Sequence, residues 1–597
     1  MQHDAVSERT LGLLALSLLA VLVGVVTGFG AVLFRELIGL VHNLFYYGHL
    51  SAAYDANVYD PPSPWGPGIV LVPVIGGLGV VLLVSKFAPE ARGHGVPEVM
   101  DAIFYRDGKI RPVVAAIKSF ASALSIGTGA AVGREGPIIQ IGATLGSSAG
   151  QIIRMAPWQR ITLVAAGAGA GIAATFNTPI GGVMFAVELL LPEVSVRTFL
   201  PVALATGTAT FIGRGLLGAR PAFEVPTALF LTSAPASLNA VLLCVVLGAC
   251  CGLAATAFIR GLHEAEIWFG RFRNPYLRHI VGMTAVGLMM YAFLLGSGHY
   301  RIDGVGYSTI QDILLGGMVA GPFMALLLVS KLTATSLSLG SGSSGGIFSP
   351  SLFMGATLGG AVGALAHGAI GTSDVTVPAF AMVGMAAMVG GATGAAMTAV
   401  TMIFEMTRDY DIVMPMIVAV AVSIGVRRML SAENIYTIKL VGRRHYIPKA
   451  MHANMFLVRP AADVMEKDFQ LLPGELGFDE FLRLPEKEGT MRHIVVTEGE
   501  HIVGTLRVNT ALRHGLEGAY TGVSLRSVAN ERFTIAHESD VMFDVIQRFW
   551  RRRGSMIVVV RGTGVPRASD VVGILTKEHI ADSVAESVRP YASTGEA

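Results

Sequence analysis

Two stretches of this chain carry the same punctuation. Residues 127–137 read GTGAAVGREGP and residues 340–350 read GSGSSGGIFSP, so Gly127, Gly129, Gly133 and Pro137 recur at identical spacing as Gly340, Gly342, Gly346 and Pro350. Close-packed membrane helices also use glycine, but a matched set recurring once per half is what two structural repeats meeting at a binding site leave behind. Each copy predicts a broken helix. A half-helix that starts inside a bilayer points unpaired N–H groups and the positive end of its dipole at whatever lies in front, which makes an anion site. Glycine admits close backbone approach, and proline fits a first helical turn because it has no N–H to lose. The first copy also holds one acid, Glu135. A bare carboxylate in a membrane is costly, so it marks function by default. In front of helix N-termini it competes with an anion for the same donors, and protonation would free the site.

The surroundings are those of a membrane protein. Of 597 residues 52% are hydrophobic and 14% charged, and the mean hydropathy is +0.59, which excludes an ordinary soluble domain. A net charge of +2 with no basic block gives no reason to expect a nucleic-acid partner. Cys244, Cys250 and Cys251 share one apolar stretch and read as buried small side chains rather than a disulfide or metal framework. The opening MQHDAVSERTLG lacks a small-residue cleavage pattern, so the first apolar run is expected to be an uncleaved membrane helix.

In chain order, residues 10–47 and 66–87 are each long enough to span a bilayer. Shorter, Gly- and Pro-interrupted segments follow near 96–106, 111–128, 135–153, 159–176, 178–191 and 196–216, and a polar linker covers 217–237. The pattern then restarts, giving repeats of about 10–216 and 238–430. Segments this short predict re-entrant helices buried by their neighbours. A second echo pairs GAGAGIAATFNTPIGGVMFAVE, ending at Glu188, with GMAAMVGGATGAAMTAVTMIFE, ending at Glu405. Both glutamates are expected to cap or pair at a helix end. Arg427, Arg428, Lys439, Arg443, Arg444 and Lys449 cluster beside the last apolar segment and favour a cytoplasmic tail. From about residue 450, short strands such as HIVVTE, HIVGTLRV, MIVVVRG and VVGILTK alternate with amphipathic helices, as in a soluble α/β domain.

Three stretches, GHGVPE at 93–98, GREGP at 133–137 and GGIFSP at 345–350, resemble the signature motifs of the CLC chloride channel and transporter family, with flanking helices over roughly 10–446. The resemblance implies an α-helical polytopic fold of two inverted repeats of broken helices over 1–449. It also implies a homodimer with one pore per subunit. Residues 456–515 and 525–588 resemble a tandem pair of CBS domains, placed at 450–520 and 521–597 on the cytoplasmic side. By resemblance Glu135 is the gating, protonatable glutamate. His94, Gly95, Arg134, Gly136, the N–H groups of Ile347 and Phe348, and the hydroxyl of Tyr436 surround the anion, and Lys118, 17 residues before Glu135, supplies positive potential.

This sequence departs from the family at two positions. His94 stands where chloride-preferring members commonly have serine, which predicts an altered anion preference or a pH-sensitive pore. Leu189 follows Glu188 where many proton-coupled members have a second, proton-relaying glutamate. CBS pairs that bind adenine nucleotides carry Gly-x-x-Thr/Ser-x-x-Asp. Gly573 and Thr576 fit, but His579 replaces the acid, and the first repeat offers Gly504, Arg507 and Thr510, so a structural or dimer-stabilising role stands beside nucleotide binding.

The expectation is a passive chloride channel in an inner or plasma-type membrane, gated by Glu135. The alternatives are a proton-coupled chloride antiporter and a membrane-anchored CBS sensor; GREGP and Tyr436 favour chloride over fluoride. No phosphate loop, metal-ligand spacing or nucleophile elbow suggests an enzyme or a bound cofactor.

Overall fold

The computed structural model describes residues 9–225, 238–370, 376–443, 445, 447, 459–483, 493–508, 520, 522–552, 556–562 and 566–588. Arg444, Lys449 and Thr510, and the first eight residues, lie outside that set. The chain divides into two compact units, Met1–Ile447 and Pro448–Ala597.

The first unit is helical. Its first half contains α1 (Leu13–Tyr47), α2 (Val72–Phe87), α3 (Val96–Tyr105), α4 (Val113–Gly127), α5 (Glu135–Ile152), α6 (Pro157–Phe176), α7 (Pro179–Phe185) and α8 (Val196–Leu217). The second contains α9 (Leu238–Gly270), α10 (Pro275–Ser297), α11 (Tyr307–Leu314), α12 (Gly321–Ser341), α13 (Phe348–Ile370), α14 (Val377–Thr393), α15 (Ala396–Thr407) and α16 (Val413–Leu430), with α17 (Thr437–Val441) after it. Among the described residues eight helices are long and apolar enough to cross a membrane. Between them lie further helices, several of them opened by proline in the first turn, as in α3, α6, α7 and α14.

Repeat mates meet each other. The loop before α5 and the loop before α13 exchange a reciprocal pair of backbone bonds, Gly133 N–H to Gly346 C=O at 2.8 Å and Gly346 N–H to Gly133 C=O at 2.5 Å. Equivalent positions of two repeats bond antiparallel only at a two-fold axis relating them, so this bridge marks the pseudo-symmetry axis. The glutamates of the second echo obey the same symmetry. Glu188 accepts from Met397 N–H (3.2 Å) and Thr398 N–H (2.8 Å) at the start of α15, and Glu405 accepts from Ile180 N–H (3.1 Å) and Gly181 N–H (2.7 Å) at the start of α7. Each therefore caps the partner repeat's helix, satisfying amides that have no partner in their own helix. Within each repeat the helices touch through glycine. A Cβ on Gly142 would strike the Gly167 carbonyl, and one on Gly355 the Gly384 carbonyl, so α5 packs on α6 as α13 packs on α14.

The second unit holds two three-stranded sheets of one topology. In the first, β1 (Gln470–Pro473) runs parallel to β2 (His493–Glu498), which pairs antiparallel with β3 (His501–Arg507). In the second, β4 (Phe533–His537), β5 (Met556–Val560) and β6 (Val571–Leu575) repeat that order. The central strands are rich in Ile and Val and buried on both faces, as covered parallel strands are. Helix α18 (Phe478–Phe481) lies beside the first sheet, and α20 (Met542–Arg552) and α21 (Lys577–Val588) belong to the second.

The two halves exchange their leading segments. Ala461, ahead of the first sheet, packs with Met542, Phe549 and Ile557 of the second. Leu525, in the short helix α19 (Leu525–Val528) ahead of the second sheet, packs with Phe478, Phe481 and Ile494 of the first. A boundary at residue 520 thus divides the sequence but not the packing.

Candidate anion site

Four helix N-termini belonging to α3, α5, α11 and α13 are held by two repeat-related sets of loops. The turns into α3 and α11 are both made by glycine in a left-handed conformation, Gly95 at φ +83° and Gly306 at φ +77°, where a Cβ would be strained. Each turn is tied down by a fully buried lysine. Lys118 of α4 donates to the carbonyls of Ala91 (2.9 Å) and Gly93 (2.7 Å), and Lys331 of α12 donates to those of Ile302 (2.8 Å) and Gly304 (2.9 Å). Lys331 precedes Phe348 by 17 residues, as Lys118 precedes Glu135, so the lysines are repeat mates. These bonds and its full burial place Lys118 inside the protein rather than at a membrane interface.

Glu135, the first residue of α5, is fully buried. One carboxylate oxygen accepts from the Tyr307 hydroxyl, and the other accepts from Ser349 N–H at 3.3 Å, in the first turn of α13. Tyr307 Oη and Ser349 Oγ also share a hydrogen bond of 2.8 Å. The carboxylate therefore sits where an anion would, on a backbone amide at a helix N-terminus. Arg134 does not pair with it; its guanidinium lies 5.1 Å from the centroid of the Tyr307 ring. Gly136 is required by space, since a Cβ there would come within 2.9 Å of Gly346 Cα.

His94, one residue before Gly95, is buried, and its Nδ1 has no hydrogen-bond partner among the described residues. Its ring centroid lies 5.9 Å from that of Tyr436. Tyr436 is buried, not a belt residue at an interface, and lies within electrostatic reach of Glu135. The turn that presents it is fixed by Asn434, whose side chain accepts from Tyr436 N–H (2.9 Å) and Thr437 N–H (2.8 Å). Ile347 and Phe348 are buried where α13 begins, and the Phe348 ring stands 5.7 Å from that of Phe176.

Two further predicted positions lie on other elements. Leu189 lies in the turn Ala186–Leu190 that extends α7 and packs half-buried against the core. Thr576, in the second unit, is buried and caps α21 through Oγ1, which accepts from His579 N–H at 3.3 Å. Tyr307, Ser349 and Lys331 were not singled out by the sequence. The 17-residue interval gives Lys331, and the glycine pair of GVGYST against that of GHGVPE aligns Tyr307 with Val96, a correspondence too plain to assign chemistry.

Fold and site together define an integral membrane protein of two inverted repeats whose broken helices converge on a buried glutamate held at a helix N-terminus. The voltage gated chloride channel family matches residues 76–428, more than half of the chain. This chain belongs to that family, the CLC proteins. It is 31% identical over 393 residues, 64% of this chain and 87% of the relative, to a putative chloride channel protein ClcB-like of Ralstonia nicotianae. It is 30% identical over 432 residues, 71% of this chain and 88% of the relative, to the H(+)/Cl(-) exchange transporter ClcA of Salmonella arizonae. A crystal structure of a eukaryotic CLC transporter shares the fold over 95% of this chain and 98% of its own, with a TM-score of 0.56 at 20% identity.

Proposed function

We propose that this CLC protein exchanges chloride for protons, one pathway per subunit of a homodimer, with Glu135 as both gate and proton carrier and the second unit in the cytoplasm. The observation that carries this reading is the Glu135 carboxylate on Ser349 N–H. While charged, it fills the seat; once protonated, it loses its attraction for the helix N-termini and leaves the amide to chloride. The His94 Nδ1, which has no partner among the described residues, and the Tyr436 hydroxyl are the side-chain groups an arriving chloride would meet. The same acid that admits the anion thereby carries the proton, and exchange is the name borne by the ClcA relative.

The passive channel reading is favoured by a single residue. Leu189 cannot take up a proton, so an exchanger built on this chain needs water to carry the inner half of the proton path. For the second unit, the Thr576 cap and the absence of an acid at His579 support a structural role over nucleotide binding.

Glu135→Gln, reconstituted in liposomes, tests the gate. The amide mimics a protonated side chain, so chloride flux becomes independent of pH and proton movement stops. Proton-coupled flux persisting in this variant would contradict the assignment.

A further inference from the structure

The partner that holds Glu135 most directly comes from the other repeat. Tyr307 opens α11 and is fully buried, and its ring is enclosed by Phe223 at 5.3 Å in an edge contact, by Phe176 at 6.3 Å and by the Arg134 guanidinium. The Gly306 turn and the Lys331 bonds fix the backbone from which it projects. The ring is thus held in place by packing, and its hydroxyl has two partners, the Glu135 carboxylate and Ser349 Oγ. Glu135 cannot leave the seat without breaking that bond.

We propose that Tyr307 is a latch: a positioning residue that stabilises the charged, seated Glu135 and so sets the pH at which flux begins. The inference rests on the reading of Glu135 as the gate. Other charged or titratable groups also face the pair. Arg134 on the approach to α5 and Arg35 on α1 lie within electrostatic reach of Tyr307, and Lys331 on α12 and Tyr436 within reach of Glu135. None of them donates a hydrogen bond to the carboxylate among the described residues. Among the described residues only the phenol does so from a side chain, and a donor to an ionised acceptor makes a stronger bond than a neutral pair. Its removal weakens the hold on the seated, charged side chain, which moves the onset of flux toward alkaline pH.

The test is chloride flux from liposomes across pH for the wild-type chain, Tyr307→Phe, Glu135→Gln and the double variant. Tyr307→Phe keeps the ring and its packing and removes one oxygen. Its pH midpoint is expected to rise by about one to two units, the equivalent of a hydrogen bond to a charged group. In the Glu135→Gln background the same substitution is expected to change nothing. A wild-type midpoint in Tyr307→Phe, with the pH dependence lost in Glu135→Gln, overturns the latch and leaves the gate standing. Wild-type pH dependence in Glu135→Gln overturns the gate, and the latch with it. Should Tyr307→Phe fail to reconstitute, Ser349→Ala takes its place. It removes the second partner that orients the phenol, so a smaller rise is expected, and no rise overturns the latch.

Discussion

His94 would give the proposed pathway something a serine cannot, a ring nitrogen that is buried, lacks a partner among the described residues and stands beside Tyr436. A buried polar atom without a partner is costly, and such atoms in native proteins call for a reason. On the proposed reading, a passing anion supplies one. His94→Ser exchanges a rigid ring donor for a rotatable hydroxyl and removes a group that can carry charge. The expected result is a change of about three-fold or more in the chloride-to-nitrate flux ratio, since a hydrogen bond to a charged group contributes about 1.5–3 kcal/mol and serine restores only part of it. Unchanged selectivity and pH dependence would mean that the ring takes no part. At this scale the sequence was partly legible. Glu135 stood out because an acid among glycines in an apolar stretch has few structural explanations. Tyr307 did not, because a tyrosine ahead of a short helix is ordinary until the chain brings it to an acid 172 residues away.

The repeats could be read from the sequence because glycines and prolines at breaks are dictated by backbone geometry, which side-chain drift leaves intact. The breaks before α5 and α13, and the helices that follow each, fall where the punctuation placed them. What the pattern could not supply was that Glu188 and Glu405 each cap the other repeat's helix, since that bond spans more than 200 residues and depends on the fold closing. The exchange of leading segments in the second unit was hidden for the same reason. In that unit Asp540 caps and braces one turn. Burial works against its charged form, but the His537 N–H at 2.8 Å and Arg548 at 2.6 Å outweigh it and hold the carboxyl below the usual aspartate range. A carboxyl lowered in this way adds stability that is complete above its unfolded value, near 4, and is lost as pH falls through the lower folded value. Asp540→Asn is therefore expected to speed amide hydrogen exchange in β4 and β5 at neutral pH. The difference from wild type should fade as pH drops below about 4, and equal exchange at neutral pH would contradict the brace.

Across the whole molecule, hydropathy and repeat symmetry identify the membrane unit, whereas proton coupling turns on one position. The sequence pointed to a channel because Leu189 replaces an acid; the proposal of exchange rests instead on Glu135 held at Ser349 N–H. An aliphatic side chain settles only what that side chain can do. It leaves open a proton path through water, which no residue count reveals. The decisive measurement is simultaneous chloride and proton flux from liposomes holding the full chain, with an outward chloride gradient and the voltage held near zero by an ionophore. Chloride efflux that drives protons inward, uphill against an opposing pH gradient, is the predicted result. Fast chloride efflux with no proton movement would contradict exchange and establish the channel.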